Sequence, residues 1–179
     1  MPGTTLLRCT GSLEPLPTIL ATSALLVCGA VQGSGWQMVK SNELPADTLI
    51  VLQRGACEHR CAVYKVIIFA DGTAIFDGRH YVRQPTVIRT SIGLDSLGKL
   101  LEKAAVVRFF EMKERYAPDA SNGCDSVKSD APTAIVSVSS GSRSKTIVHY
   151  IGCAGRESEE LSQFEEEIDR AVNTVRWVK

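Results

Sequence analysis

The stretch "GACEHRCAVYKV", residues 55–66, sets Cys57 and Cys61 on either side of Glu58, His59 and Arg60, and two further cysteines, Cys124 and Cys153, follow downstream. Thiols so placed can exchange disulfides, ligate a metal or cross-link the chain. For exchange, an imidazolium at His59 beside a cysteine would favour the nucleophilic thiolate. Thioredoxin-like sites, however, separate their cysteines by two residues at a helix N-terminus. Here three residues intervene and a strand-like run follows, so no helix dipole assists a thiolate. A zinc site built from Cys57, Cys61, Cys124 and Cys153 is conceivable, but structural zinc usually draws on two close pairs, and Cys124 lies far from Cys153 in the chain. Cross-linking remains the leading reading. A Cys57–Cys61 bridge closes a very small ring worth about 2 kcal/mol of loop entropy, and a Cys124–Cys153 bridge roughly 3.5 kcal/mol. Four cysteines allow three connectivities, which sequence alone does not separate. The sequential pairing is preferred because it joins a strand entrance to itself and a long loop to a hairpin exit.

Other reactive groups are sparse. The three histidines, His59, His80 and His149, stand at no metal-ligand spacing from one another. His149, between Val148 and Tyr150, reads as a half-buried, hydrogen-bonded strand residue. A Ser/His/Asp triad can be drawn through it, but so many serines are available that the drawing carries little information. The chain has no Walker loop, nucleotide-binding glycine fingerprint, metalloprotease helix or nucleophile elbow. No residue is therefore assigned a catalytic, cofactor-binding or metal role, and no cofactor is called for. The four cysteines are the site residues, as disulfides.

Compartment decides what those cysteines do. Leu16 to Val31, "LPTILATSALLVCGAV", carries no charge, follows Arg8 and precedes the small residues of "GAVQGSG", the pattern of an export signal. It is shorter than the roughly 20 residues of a bilayer-spanning helix. "LLVC" at 25–28 has the outline of a lipobox, although Val27 stands where a small residue is wanted. Cleavage between about Ala30 and Gly35 would remove Cys9 and Cys28 and leave four cysteines, an even number in an oxidising compartment. The expected organisation is an export segment over 1–35, a linker over 36–47 and one domain over 48–179, placed in the periplasm, outside the cell or on a lipid anchor.

The elements that position the cysteines follow from periodicity. Thr48 to Arg54 reads as a strand, Ala62 to Phe69 as a second by its alternation, and Asp71-Gly72 as a tight turn supplying two positive φ angles before a third over Thr73 to Asp77, closed by Gly78. Val82 to Ile92 offers a fourth, with Pro85 marking an edge or a break. Leu94, Leu97, Leu101 and Ala104 recur at helical spacing, after which Phe109 and Phe110 anchor the chain in the core. Tyr116 to Pro132 reads as a long loop, "TAIVSVSS" and "SKTIVHYIG" as a hairpin. From Glu157, a closing helix carries an apolar stripe of Leu161, Phe164, Ile168 and Val172, flanked by Glu159, Glu160, Glu165, Glu166 and Glu167, with Trp177 as a terminal plug. The result is an α+β domain: an antiparallel sheet of about six strands, with each helix covering a sheet face.

With 20 basic and 20 acidic residues the net charge is zero, so no basic field draws nucleic acid or anionic lipid. The membrane enters only through an N-terminal anchor. The uneven distribution, with Arg79, Arg83 and Arg89 in the middle and "ESEELSQFEEEID" near the end, reads as solvated faces.

The runs "CEHRCAVYKVIIFADGTAIFDG", "FFEMKERY" and "VHYIGC", Asp130 with "PT", and the closing "RW" resemble the uncharacterised bacterial family of domain of unknown function 6438, from about Thr48 to Val178. Members show cysteine, three residues, cysteine, proline, any residue and tyrosine, then an aspartate-glycine hairpin. Cys57, Cys61, Tyr64, Asp71 and Gly72 match that order; Ala62 stands where proline is usual and Arg60 where a small residue is common. The resemblance implies a bacterial protein, often exported or lipid-anchored, and brings no established activity. The expected function is that of a disulfide-stabilised envelope module that binds an unidentified ligand or envelope protein without catalysis. The alternative is a thiol-active or zinc-binding protein using Cys57, His59 and Cys61.

Overall fold

The computed structural model describes residues 48–118 and 123–179; the export segment and linker expected over 1–47 lie outside the described residues. Among the described residues, nine strands and three helices follow in chain order: β1 Thr48–Arg54, β2 Val63–Phe69, β3 Thr73–His80, β4 Val87–Ser91, α1 Gly93–Val106, β5 Arg115–Tyr116, β6 Ser126–Val127, β7 Thr133–Ser140, β8 Arg143–Tyr150, β9 Cys153–Ala154, α2 Arg156–Val172 and α3 Val175–Val178. Seven strands form one sheet in the order β4-β3-β2-β1-β7-β8-β5, and β6 pairs with β9 as a separate ribbon. The α+β class and the four-strand run stand as expected.

Alternation selects one face of the sheet as its core. Ile50 pairs with Ile68 and Val138, Leu52 with Val66 and Val136, Val66 with Phe76, and Val136 with Ile147. These side chains are buried in a single cluster with Leu97, Leu100 and Ala104 of α1 and Leu161, Phe164, Ile168 and Val172 of α2. Both helices therefore share one sheet face instead of taking one each. Trp177 closes the end of the core, its ring 4.9 Å from Phe76.

Local departures have local causes. Only Gly72 takes a positive φ in the first hairpin; its N–H donates to the Phe69 carbonyl, while Asp71 accepts from the Thr73 N–H at 2.8 Å. Asp71 thus uses its side chain where two positive φ angles were expected. That hydrogen bond also holds its carboxyl below the usual range. Gly78 does not close β3 but lies within it, because a Cβ there would collide with the Gln84 carbonyl. Beyond Pro85, β4 is confined to Val87–Ser91 and forms the sheet edge, consistent with the missing ladder donor.

The count of about six strands fell short because the loop from Tyr116 to Pro132 contains pairing too short to leave a periodic signal. Arg115 and Tyr116 run parallel to β8, opposite Val148 and His149, and Ser126 and Val127 pair with Ala154 and Cys153. The sheet is thus antiparallel except for this one edge.

Candidate functional site

The two cysteine pairs lie where the chain leaves regular structure. Cys57 and Cys61 are joined within the β1–β2 connection, with Cα atoms 5.6 Å apart, and Cys124 is joined to Cys153 with Cα atoms 5.1 Å apart, both within the ordinary disulfide range. The pairing is sequential. Glu58, His59 and Arg60 are exposed at the tip of the small ring. The second link ties the segment before β6 to β9, where Cys153 is buried. Because the four sulfurs are taken up in two separate pairs, the geometry assembles no four-cysteine zinc site. His80 is exposed at the end of β3.

A second constellation converges behind Cys153. His149 is fully buried, as are Ser158 and Glu165 of α2. His149 Nε2 lies 2.8 Å from Ser158 Oγ, and Nδ1 lies 2.9 Å from Glu165 Oε1. Glu165 Oε2 accepts from Arg54 Nη1 at 2.7 Å. Arg54 Nη2 and Nε donate to Asp169 Oδ2 at 2.9 and 3.2 Å, and Tyr64 donates to Asp169 Oδ1 at 2.8 Å. Seen as distances alone, Ser158, His149 and Glu165 outline a catalytic triad.

Proton accounting gives a different arrangement. Ser158 donates its hydroxyl hydrogen to the Cys153 carbonyl at 2.7 Å, an acceptor that returns nothing. The Ser158 oxygen must then accept from His149, so Nε2 carries a hydrogen and is not the base a nucleophilic serine requires. Nδ1 faces Glu165 Oε1 at 2.9 Å, while Glu165 Oε2 is taken up by Arg54, so both oxygens of this carboxylate are engaged inside the fold. Arg54 pairs with the carboxylates of both Glu165 and Asp169, the condition under which buried charge is tolerated.

Electrostatics reinforce the closure. Burial acts to lower the Arg54 pKa, but the carboxylates of Asp169 and Glu165 outweigh it and hold the guanidinium above its ordinary value. Burial, followed by the Asp169 carboxylate, pushes the Tyr64 phenol upward. Tyr116, donating to Glu157 Oε2 at 2.8 Å and meeting the His149 ring edge-on, is raised by burial and by that bond.

Among the residues singled out from sequence, the structure brings Cys57 to Cys61 and Cys124 to Cys153, and buries His149 completely instead of halfway. It also reveals Ser158, Glu165, Asp169, Arg54 and Tyr64. A signal for Glu165 was present: it follows Leu161 by four positions and Ser158 precedes Leu161 by three, so both fall in the apolar stripe and not on its flank. Arg54 shares the parity of Ile50 and Leu52, a charge on an inward register.

No curated protein matches the chain. A family model, the domain of unknown function DUF6438, matches residues 48–172, from the first strand to the last turn of α2. With most of the sequence covered, including all four paired cysteines and the whole buried network, the chain belongs to the DUF6438 family.

Proposed function

We propose that the chain is exported and that its domain serves as a disulfide-stabilised binding or accessory module of the bacterial envelope, without catalysis. The observation that carries this reading is the placement of both disulfides at the margins of regular structure, one within the β1–β2 connection and one tying the segment before β6 to the two-residue strand β9. Such bonds persist in oxidising compartments, and rigidly supported loops are the usual sites of recognition. The uncharged run over 16–31 supports export. The commitment of the Ser158 hydroxyl to a backbone carbonyl, deep inside, supports a structural role for the one triad-like arrangement.

The test is made on protein recovered from its native host. Sequencing its N-terminus should find a start between about residues 30 and 35, and alkylation without reductant should leave all four domain cysteines unlabelled. A fluorophosphonate probe should leave Ser158 unmodified. An intact Met1 with free thiols would overturn export and cross-linking together, and covalent labelling of Ser158 would overturn the non-catalytic reading. The exposure of the Cys57–Cys61 loop favours thiol chemistry as the second reading. Label entering Cys57 or Cys61 in folded, unreduced protein would select it, and co-purifying zinc would select the metal variant.

A further inference from the structure

Away from the buried network, the C-terminal end of α1, the turn after it and the tip of the β7–β8 hairpin enclose a cleft of about 250 Å³. Leu101, Ala105 and Phe110 expose apolar surface to it above the buried Ala104, Phe109 and Val138, and Arg108 and Arg143 are the cations beside it. The turn closes α1 through N–H donation from Arg108 to the Ala105 carbonyl and from Phe109 to the Ala104 carbonyl. Arg108 adopts φ 56°, a left-handed conformation for which glycine is the unstrained choice after a helix. A bulky cation is thus held at the mouth of the cleft against backbone preference, and strain of this kind clusters at functional sites.

The second cation is equally poised. The Arg143 guanidinium lies over the Phe110 ring, 4.2 Å from its centroid. Stacking uses the guanidinium face and leaves its N–H edge free for a planar acceptor. Among the described residues the Arg143 side chain has no ion pair, and the Arg108 contact with Glu111 is long at 3.9 Å. Lys145 Nζ donates to the Phe110 and Met112 carbonyls, adding positive charge while tying the turn to β8. The chain is neutral as a whole, and this corner sets Arg108, Arg143 and Lys145 beside the carboxylates of Glu111 and Glu114.

We propose that the cleft binds a small carboxylate with an apolar body, such as a short-chain aliphatic or aromatic acid. Its carboxylate is gripped by Arg108 and Arg143 and its body lies against Leu101, Ala105 and Phe110. The volume holds about eight waters at ~30 Å³ each, which sets the ligand at roughly ten non-hydrogen atoms. This deepens the binding-module reading and rests on it.

The probe is hexanoate, titrated into the 15N-labelled, natively processed chain and followed by the amide resonances of Ala105, Phe110 and Arg143. About eight non-hydrogen atoms give an expected dissociation constant on the order of 1 mM. Inorganic phosphate and 1-hexanol should each bind about tenfold more weakly, because one lacks the apolar body and the other the charge-assisted hydrogen bonds. Arg143→Gln and Arg108→Gly should each weaken hexanoate about tenfold by removing a charged donor. Arg108→Gly also relieves the positive φ, so the variant folds and its lost binding is not lost structure. Unmoved amides, or hexanol or phosphate binding as tightly as hexanoate, would overturn the assignment of the ligand class. Should that happen while the four cysteines are protected in envelope-derived protein, the module reading stands and only the ligand class is wrong; free thiols would sink the module reading whatever the titration shows.

Discussion

Replacing Arg54 with methionine tests whether the buried ionic network holds the domain together. The substitution removes three charge-assisted hydrogen bonds, to Glu165 Oε2 at 2.7 Å and to Asp169 Oδ2 at 2.9 and 3.2 Å. Side-chain exposure is 0% for Glu165 and 19% for Asp169, so water can replace the lost guanidinium at one carboxylate and not at the other. Breaking a fully buried pair by removing one partner costs about 3–5 kcal/mol, and the partial exposure of Asp169 sets the expected loss near about 3 kcal/mol. With a urea slope of about 2 kcal/mol per molar, the unfolding midpoint should fall by about 1.5 M. The double variant Arg54→Met/Glu165→Gln replaces the carboxylate that has lost its guanidinium, and keeps only His149, with a neutral amide, and should be more stable than Arg54→Met alone. A loss under about 1 kcal/mol, the scale of a surface pair, would refute the picture of a dry, mutually dependent network.

Three further outcomes follow from the same geometry. Replacing Cys57 and Cys61 by serine should cost about 2 kcal/mol and replacing Cys124 and Cys153 about 3.5 kcal/mol, from the lengths of the loops they close; urea unfolding that reverses this order would count against loop entropy as the cause. Tyr64 and Tyr116 have phenols raised above the ordinary value of 10.0, so they retain protons that the unfolded chain releases, and their contribution is full below about pH 10 and lost as pH rises beyond it. Absorbance at 295 nm should show two of the four tyrosines ionising late, and Tyr64→Phe should flatten the alkaline fall in stability; four coincident ionisations would refute the closure. Gly78→Ala should cost about 1–3 kcal/mol, since its methyl meets the Gln84 carbonyl and the Phe76 ring; an unchanged melting temperature would show that the segment after β3 yields freely.

Regular segments were the most legible part of this protein. Thr48–Arg54 emerges from its β-branched and aliphatic composition and short length with the limits seen in the structure, and the stripe from Leu161 to Val172 faces the sheet as its spacing requires. The even cysteine count pointed to disulfides, while the choice among three connectivities came from the folded chain, which brings Cys57 to Cys61 and Cys124 to Cys153. Two-residue strands such as Arg115–Tyr116 have too little length to show a period, and Glu165 was hidden among neighbouring glutamates although its spacing from Leu161 placed it inward.

The sequence by itself determined where strands and helices form, which of their faces are apolar and which cysteines can close loops, because these depend on residues within a few positions of one another. Only the tertiary structure decided that both helices share one sheet face, that Arg54 meets Asp169 across 115 positions of chain, and that the Ser158 hydroxyl is committed to Cys153. A buried polar group is defined by whichever partner the folded chain brings within about 3 Å, and that pairing has no periodicity to betray it in advance.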